Sequence, residues 1–536
     1  MSHITISAVL SRRLALCCAS VALLVAAGCG EPIGEDDFPP IDAGTGGLDA
    51  GHLQVATGEG PSPEPVELDD SETHHRQKEN RKALLAILKG EVDRSPDEPY
   101  SVDLVRTVDA ELYRDVDTET KGPRQWITRA SVVDENGERL WSDRVNSFFQ
   151  LLEYLKRVLD DTSSVDFSVF EVYTFANSEY PELLDFSVQI PLGLEGASEY
   201  VLEVPDDEGN YYEVARFDID KLVDQAKPPK YDAEVQTIEE TGPARDRIDV
   251  AILGDGYTSG EKQEFLGDAD AIARRMKDAE PLKQHDNYFN FHAVWTPSEE
   301  SGAGYDCWGP TDPECKHGFR DTVYRYVFVV SALIDQFDLD LPSASSRVAM
   351  PLEIAKMAEI AALASYDEIV LVSNTERRSG FAGMYAGVLT AFDDREDFPD
   401  VAVHEFGHSF GVLGDEYFIE SDPCLYAAPR VPLPANIAEK TDRSKLKWSK
   451  WVDSQTPLPT PRSERASYDV GAYKKAYNCE FLYRPVYDCK MRDSDQSFCP
   501  VCSEQLVRRL YNDIDLLKAG YPTIERNPSG DLTFQA

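Results

Sequence analysis

The chain is 536 residues long and 42% hydrophobic, with a formal net charge of -44. That much apolar material fills more than one ordinary core, so two domains plus tails are expected. The acidity runs along the whole chain and leaves no basic face for phosphates, which excludes a nucleic-acid partner and favours solubility outside a cell.

Arg12 and Arg13 precede an apolar run over residues 14–27. It is shorter than the roughly 20 residues a membrane span needs, and it fits the central part of a secretory signal. The run ends in Ala26, Ala27, Gly28 and Cys29, which resembles the bacterial lipobox, where the cysteine is lipidated. Residues 1–28 therefore read as a lipoprotein signal peptide and Cys29 as the lipidation site. The chain is expected to be exported to the cell envelope or surface, with a lipid as its only membrane contact. Residues 29–95 read as an acidic tether, rich in Gly and Pro at first and ending in a short helix at about 72–91.

Residues 96–226 change character. Alternating apolar segments at 100–108, 127–133, 165–174, 186–190 and 200–204 predict strands, interrupted by one helix over about 147–159. Asn136-Gly137 and residues 206–210 predict turns. The pattern reads as an antiparallel β-sandwich-like domain with no catalytic constellation. A polar stretch at 221–242 makes residues 227–246 a linker. In residues 247–525, apolar strands at 248–253, 289–295 and 366–373 alternate with helices at about 261–277, 324–337 and 350–364. Thr258 and Glu261 fit a capping box opening the first of these helices. Residues 526–536 are a tail. The fold class is α+β, multidomain.

The chemistry is concentrated in His404-Glu405-Phe406-Gly407-His408. Four-residue spacing puts both imidazoles on one face of a helix, where they can bind one zinc ion. Glu405 then stands where its carboxylate can take a proton from an activated water. Gly411, three residues on, is where the helix is expected to stop in a left-handed conformation and turn back, as in the metzincin-like pattern. That pattern continues with a third histidine, but Gly414 stands there, and the nine histidines end at His408. Asp415 is the preferred third ligand. Glu416, a later glutamate, or an upstream His285, His292 or His317 are the alternatives. Neither a nucleophilic-serine elbow nor a phosphate loop is present to compete.

Beyond Cys17, Cys18 and Cys29 at the N-terminus, seven cysteines remain. Cys307 with Cys315 is a candidate local disulfide. Cys479, Cys489, Cys499 and Cys502 also read as disulfide candidates. Cys499-Pro500-Val501-Cys502 invites a structural zinc instead, but the other pair lacks the matching short spacing.

The run from His404 through Gly411 to Asp415-Glu416-Tyr417 resembles the signature of the bacterial IgA-peptidase family of metallopeptidases. Residues 248–257, 288–294 and 498–502 are similar to that family as well. The resemblance implies a metzincin-like α/β/α domain with one zinc. It implies ligands at His404, His408 and Asp415, with Glu405 catalytic, and it favours Met491 as a Met-turn beneath the metal. An immunoglobulin substrate does not follow, because a family does not fix a substrate. The expected activity is zinc-dependent cleavage of a protein or peptide by a monomer. A surface lipoprotein that binds glycan or protein through its β-domain and a zinc amidase acting on cell-wall peptides are the rivals.

Overall fold

A computed structural model describes residues 77–90, 100–114, 129–144, 186–205, 211–304, 318–328, 349–375, 377, 379–382, 388–392, 398–418, 434–476, 479–514, 523–526 and 532–535. The signal segment, Cys29, most of the tether, the helix expected at 147–159, the strand at 165–174 and the turn at 206–210 lie outside them.

The first described segments are strands β1 (Gln77–Gly90), β2 (Tyr100–Arg114), β3 (Arg129–Val133), β4 (Arg139–Arg144), β5 (Phe186–Pro191), β6 (Glu199–Pro205) and β7 (Tyr211–Asp218), followed by helix α1 (Ile219–Gln225). They form two antiparallel sheets, ordered β2-β1-β5 and β4-β3-β6-β7. Leu84, Ala86 and Leu88 of β1 share a core with Ala130, Val132, Trp141, Tyr200 and Leu202 of the second sheet. The Asn136-Gly137 turn joins β3 to β4 with Gly137 at φ 81°, a conformation that glycine adopts without strain.

The helix expected at 72–91 is instead β1. Residues 83–88 are Ala-Leu-Leu-Ala-Ile-Leu, and all are buried. The even-numbered side chains face the second sheet, while Ala83, Leu85 and Ile87 pack against Ala358 of a helix from the other half of the chain. A strand covered on both faces loses its alternation and reads like a buried helix.

The second half holds β8 (Glu234–Glu239), β9 (Ile248–Asp255), α2 (Lys262–Asp278), β10 (Phe289–Trp295), β11 (Val327–Phe328), β12 (Ala349–Met350) and α3 (Ile354–Ala361). It continues with β13 (Glu368–Ser373), β14 (Ser379–Ala382), β15 (Val388–Phe392), α4 (Phe398–Ser409), the hairpin β16 (Tyr473–Ala476) and β17 (Cys479–Arg484), and α5 (Pro500–Asp513). A last hairpin joins β18 (Thr523–Arg526) and β19 (Leu532–Gln535).

One six-stranded sheet, ordered β14-β15-β13-β9-β10-β8, forms the frame. Its four inner strands are parallel, and both edges run antiparallel. Val250, Ile252, Val370 and Val372 face α2 and α4, whereas Ala251, Leu253, Ile369 and Leu371 face α3. Helices thus cover both faces, as buried parallel strands require.

Four further expectations are corrected. The stretch at 221–242 is not all linker: it ends α1 and contains β8, whose exposed, polar pattern hides an edge strand paired with β10. No helix begins at Tyr324; its amide and that of Tyr326 bond the buried Asp255 carboxylate at 2.7 and 3.0 Å, and β11 follows. The rest of that expected helix lies outside the described residues. Glu261 closes a turn on Thr258, and α2 starts only at Lys262. The helix expected at 350–364 is shorter, because Met350 belongs to β12 and α3 covers Ile354–Ala361. The halves are tied by a buried Arg106–Glu359 ion pair at 3.1 Å and by Gln189 donating to the Tyr366 hydroxyl at 2.8 Å.

Candidate metal centre

Helix α4 runs Phe-Pro-Asp-Val-Ala-Val-His-Glu-Phe-Gly-His-Ser, and apart from Asp400 it is buried from Pro399 to Ser409. Ala402, Val403 and Phe406 join the core under the sheet, with Phe410 just past the helix end. That leaves His404 and His408 on the face turned from the sheet. Asp400 anchors the first turn through Arg275 at 2.6 Å and Lys490 at 2.8 Å.

The helix ends in a way the sequence pattern did not give. Val412, not Gly411, is the left-handed residue, at φ 54°. Val412 N–H donates to His408 O at 3.1 Å, the single bond of an αL helix end, and Leu413 N–H reaches one turn further back to Gly407 O at 3.0 Å. Gly411 is needed for closeness instead: a Cβ there would lie 2.6 Å from Gly407 O and 2.8 Å from Leu506 Cδ2.

The reversal puts Leu413 O 2.7 Å from His408 Nδ1, and Lys490 O lies 2.7 Å from His404 Nδ1. A carbonyl oxygen only accepts, so each Nδ1 carries the proton and each Nε2 offers a lone pair. The two Nε2 atoms are 3.2 Å apart, and Asp415 Oδ1 is 3.4 and 3.2 Å from them. All three side chains are buried, and their donor atoms gather where one cation could sit. Burial opposes charge on His408, but the Asp415 carboxylate outweighs it and pushes His408 up to about 9, so a metal that takes the Nε2 lone pair must displace a proton from it. For His404 burial wins and pulls it down. Burial likewise opposes charge on Asp415, but His408 and His404 hold it below its ordinary value.

Glu405 is fully buried, and its charge reaches His408. Met491 is fully buried beside α4, since a Cβ on Gly407 would lie 2.6 Å from its Sδ. Asp415 is thus the candidate ligand brought to the histidines, while Glu416 turns to a second group with Cys489, Cys499 and Cys502. His285 packs on Tyr511, and His292 lies 3.3 Å from Asp249. His317 lies outside the described residues. Tyr417 is buried, and Tyr487 is ringed by Arg462, Arg465, Arg484 and Arg492.

Sequence reasoning missed Asn436. It is fully buried and straps the turn by accepting from Gly414 N–H at 2.8 Å and donating to Gly414 O at 2.7 Å and Glu416 Oε1 at 2.9 Å. No periodicity or spacing links a lone asparagine to a turn 22 residues away.

Three of the disulfide candidates are corrected: Cys489, Cys499 and Cys502 are buried thiols. Cys479 is disulfide-bonded. Cys307 and Cys315 lie outside the described residues.

Residues 236–467, which include α4 and Asp415, match the family model described as IgA Peptidase M64. Over that stretch, which is less than half of the chain, the sequence is similar to this family. The IgA-peptidase match makes it a hydrolase acting on peptide bonds and a metallopeptidase, and the matched stretch ends before Met491. No match was found among curated proteins.

Proposed function

We propose that the chain is an exported, zinc-dependent endopeptidase in which His404, His408 and Asp415 hold the metal and Glu405 is the general base. The observation that carries this reading is the convergence of two Nε2 atoms and Asp415 Oδ1 within 3.4 Å of one another. The donor set fits zinc: two neutral imidazoles, each fixed by a backbone carbonyl on its other nitrogen, and one carboxylate. Zinc there would act as a Lewis acid, making water nucleophilic near neutral pH (pKa about 7) and polarising the scissile carbonyl.

The chain's own residues supply the rest. Glu405 accepts the proton of the attacking water and returns it to the leaving amine. Lys490 O and Leu413 O keep each histidine in one tautomer and orientation. Met491 forms an apolar floor against Gly407, in keeping with a metzincin-like layout of the α/β/α unit. The two N-terminal antiparallel sheets and their shared core support a sandwich-like accessory domain. Strand β14 is an edge of the six-stranded sheet, which suits main-chain pairing with an extended substrate. Backbone N-methylation of a peptide substrate should then weaken its binding, and equal binding would overturn the pairing. Export and the anchor at Cys29 rest on the sequence, and mass analysis of the mature N-terminus decides them.

Glu405→Gln tests the mechanism. It should keep its metal but lose at least about a hundredfold in rate on a peptide library. Near-normal turnover would remove Glu405 from the role.

A further inference from the structure

A second cluster lies outside the catalytic constellation. Cys489 Sγ, Cys499 Sγ, Cys502 Sγ and a carboxylate oxygen of Glu416 all lie within 4.8 Å of one another, and all four residues are buried. We propose that these four residues form a structural site for a thiophilic divalent cation of the zinc class, which clamps the catalytic turn to α5. Only Glu416 falls within residues 236–467, so the family match does not contain this site.

The distances suit a shared cation and not a disulfide. A disulfide would bring two sulfurs to about 2.05 Å. Cys489 Sγ and Cys502 Sγ stand 3.7 Å apart. Tetrahedral zinc with Zn–S of about 2.3 Å places two sulfurs about 3.8 Å apart and a sulfur and a carboxylate oxygen about 3.5 Å apart. Cys502 Sγ lies 3.4 Å from Glu416 Oε1. Spacing and donor types therefore match a tetrahedral S3O set.

The alternative is a network of neutral thiols around a buried acid. It serves Glu416 unevenly: Asn436 and the Cys502 thiol both donate to Oε1, while Oε2 has no hydrogen-bond partner among the described residues. A buried polar atom without a partner is costly unless something else compensates it. A cation does so. Two of the sulfurs also receive backbone donors: Cys489 Sγ accepts from Cys499 N–H at 3.4 Å and Cys499 Sγ accepts from Cys502 N–H at 3.5 Å. The chain forms a disulfide at Cys479, yet these three sulfurs remain unpaired with one another.

The site is placed to matter. Glu416 follows Asp415 directly, and its N–H donates to Met491 O at 2.7 Å. Cys489 precedes Lys490, whose carbonyl orients His404. Cys499 caps α5, and Leu506 of that helix packs beside Gly411. One cation bound here fixes the third catalytic ligand, the histidine orienter and the methionine floor relative to one another. The bare sequence hid the site because its fourth ligand is a glutamate 73 residues before Cys489.

The test uses the full chain with cobalt(II) or zinc as the only added metal. Wild type should bind about two ions per chain, and its cobalt form should show thiolate-to-cobalt charge-transfer absorption. His404→Ala/His408→Ala should keep about one ion together with that absorption. Cys499→Ser/Cys502→Ser should lose both the second ion and the absorption. The histidine variant leaves the cluster intact, so it decides the question even if the cysteine variant fails to fold. A histidine variant with no metal and no charge-transfer band, or peptide mapping that finds two of these cysteines in a disulfide, would overturn the proposal. Neither result bears on the catalytic site, which is read by activity and by the wild-type stoichiometry.

Discussion

Asn436→Ala is the sharpest test of how the catalytic turn is held. The side chain is fully buried and makes three hydrogen bonds of 2.7 to 2.9 Å, two to the Gly414 peptide groups and one to Glu416. Alanine leaves a buried N–H, a buried C=O and a buried carboxylate each short of one partner. Each such loss costs about 1–3 kcal/mol, and water entering the amide-sized space recovers part, so the sum is roughly 3–5 kcal/mol. Because the turn carries Asp415, metal affinity should also fall about 10- to 100-fold, the usual effect of removing a support behind a ligand. Denaturant unfolding at fixed metal concentration reads the first quantity, and competition with a chromophoric chelator reads the second. Asn436→Asp separates shape from hydrogen bonding. It keeps the volume but sets a carboxylate oxygen against Gly414 O and Glu416 Oε1, both acceptors, so it should do no better than alanine. If either variant stays within about 1 kcal/mol of wild type with unchanged metal affinity, the strap is incidental and the reasoning fails.

Two more predictions concern the helix that carries the histidines. Gly407→Ala places a Cβ 2.6 Å from Met491 Sδ and 3.0 Å from Phe498 Cε1, so it should cost about 1–3 kcal/mol through overpacking. Metal retention should fall with it, whereas Gly407→Ala combined with Met491→Ala should recover part of both; melting temperature and metal content measure this. Asp400 is partly buried, which opposes its charge, but Arg275 and Lys490 hold its carboxyl below the ordinary range. Its contribution is therefore present above the ordinary carboxylate pKa of about 4 and is lost as pH falls through the lowered value. Asp400→Asn should be less stable than wild type at neutral pH by about 2 kcal/mol and indistinguishable from it in strong acid. A gap that persists unchanged at acid pH would show that charge is not the cause.

Much of the catalytic half was legible because its signals are local. Largely apolar runs gave β9, β10 and β13, and in the N-terminal half an Asn-Gly pair gave the β3–β4 turn. Four-residue spacing gave two histidines on one face, since helix geometry fixes that without reference to the rest of the chain. Asp415 was reachable because it lies seven residues past His408, within the same turn.

What stayed hidden depended on partners distant in sequence. Strand β1 looked helical because burial on both faces erases the period of two, and only its two packing partners reveal that burial. Exposed β8 offers only Val235 and Ile238 as apolar residues, three apart and so out of strand alternation, and hydrogen bonding to β10 makes it a strand. The left-handed residue at Val412 was invisible because β-branched residues disfavour that conformation, and packing at Gly411 imposes the glycine on the neighbouring position. Residues a few positions apart on one helix carry the type of chemistry, and that much is written locally. The company those residues keep is set by the folded chain: Lys490 O on His404, Asn436 behind Asp415, and Glu416 joined to three cysteines rather than to the histidines. Such pairings are set by how distant segments pack, and no local spacing encodes them.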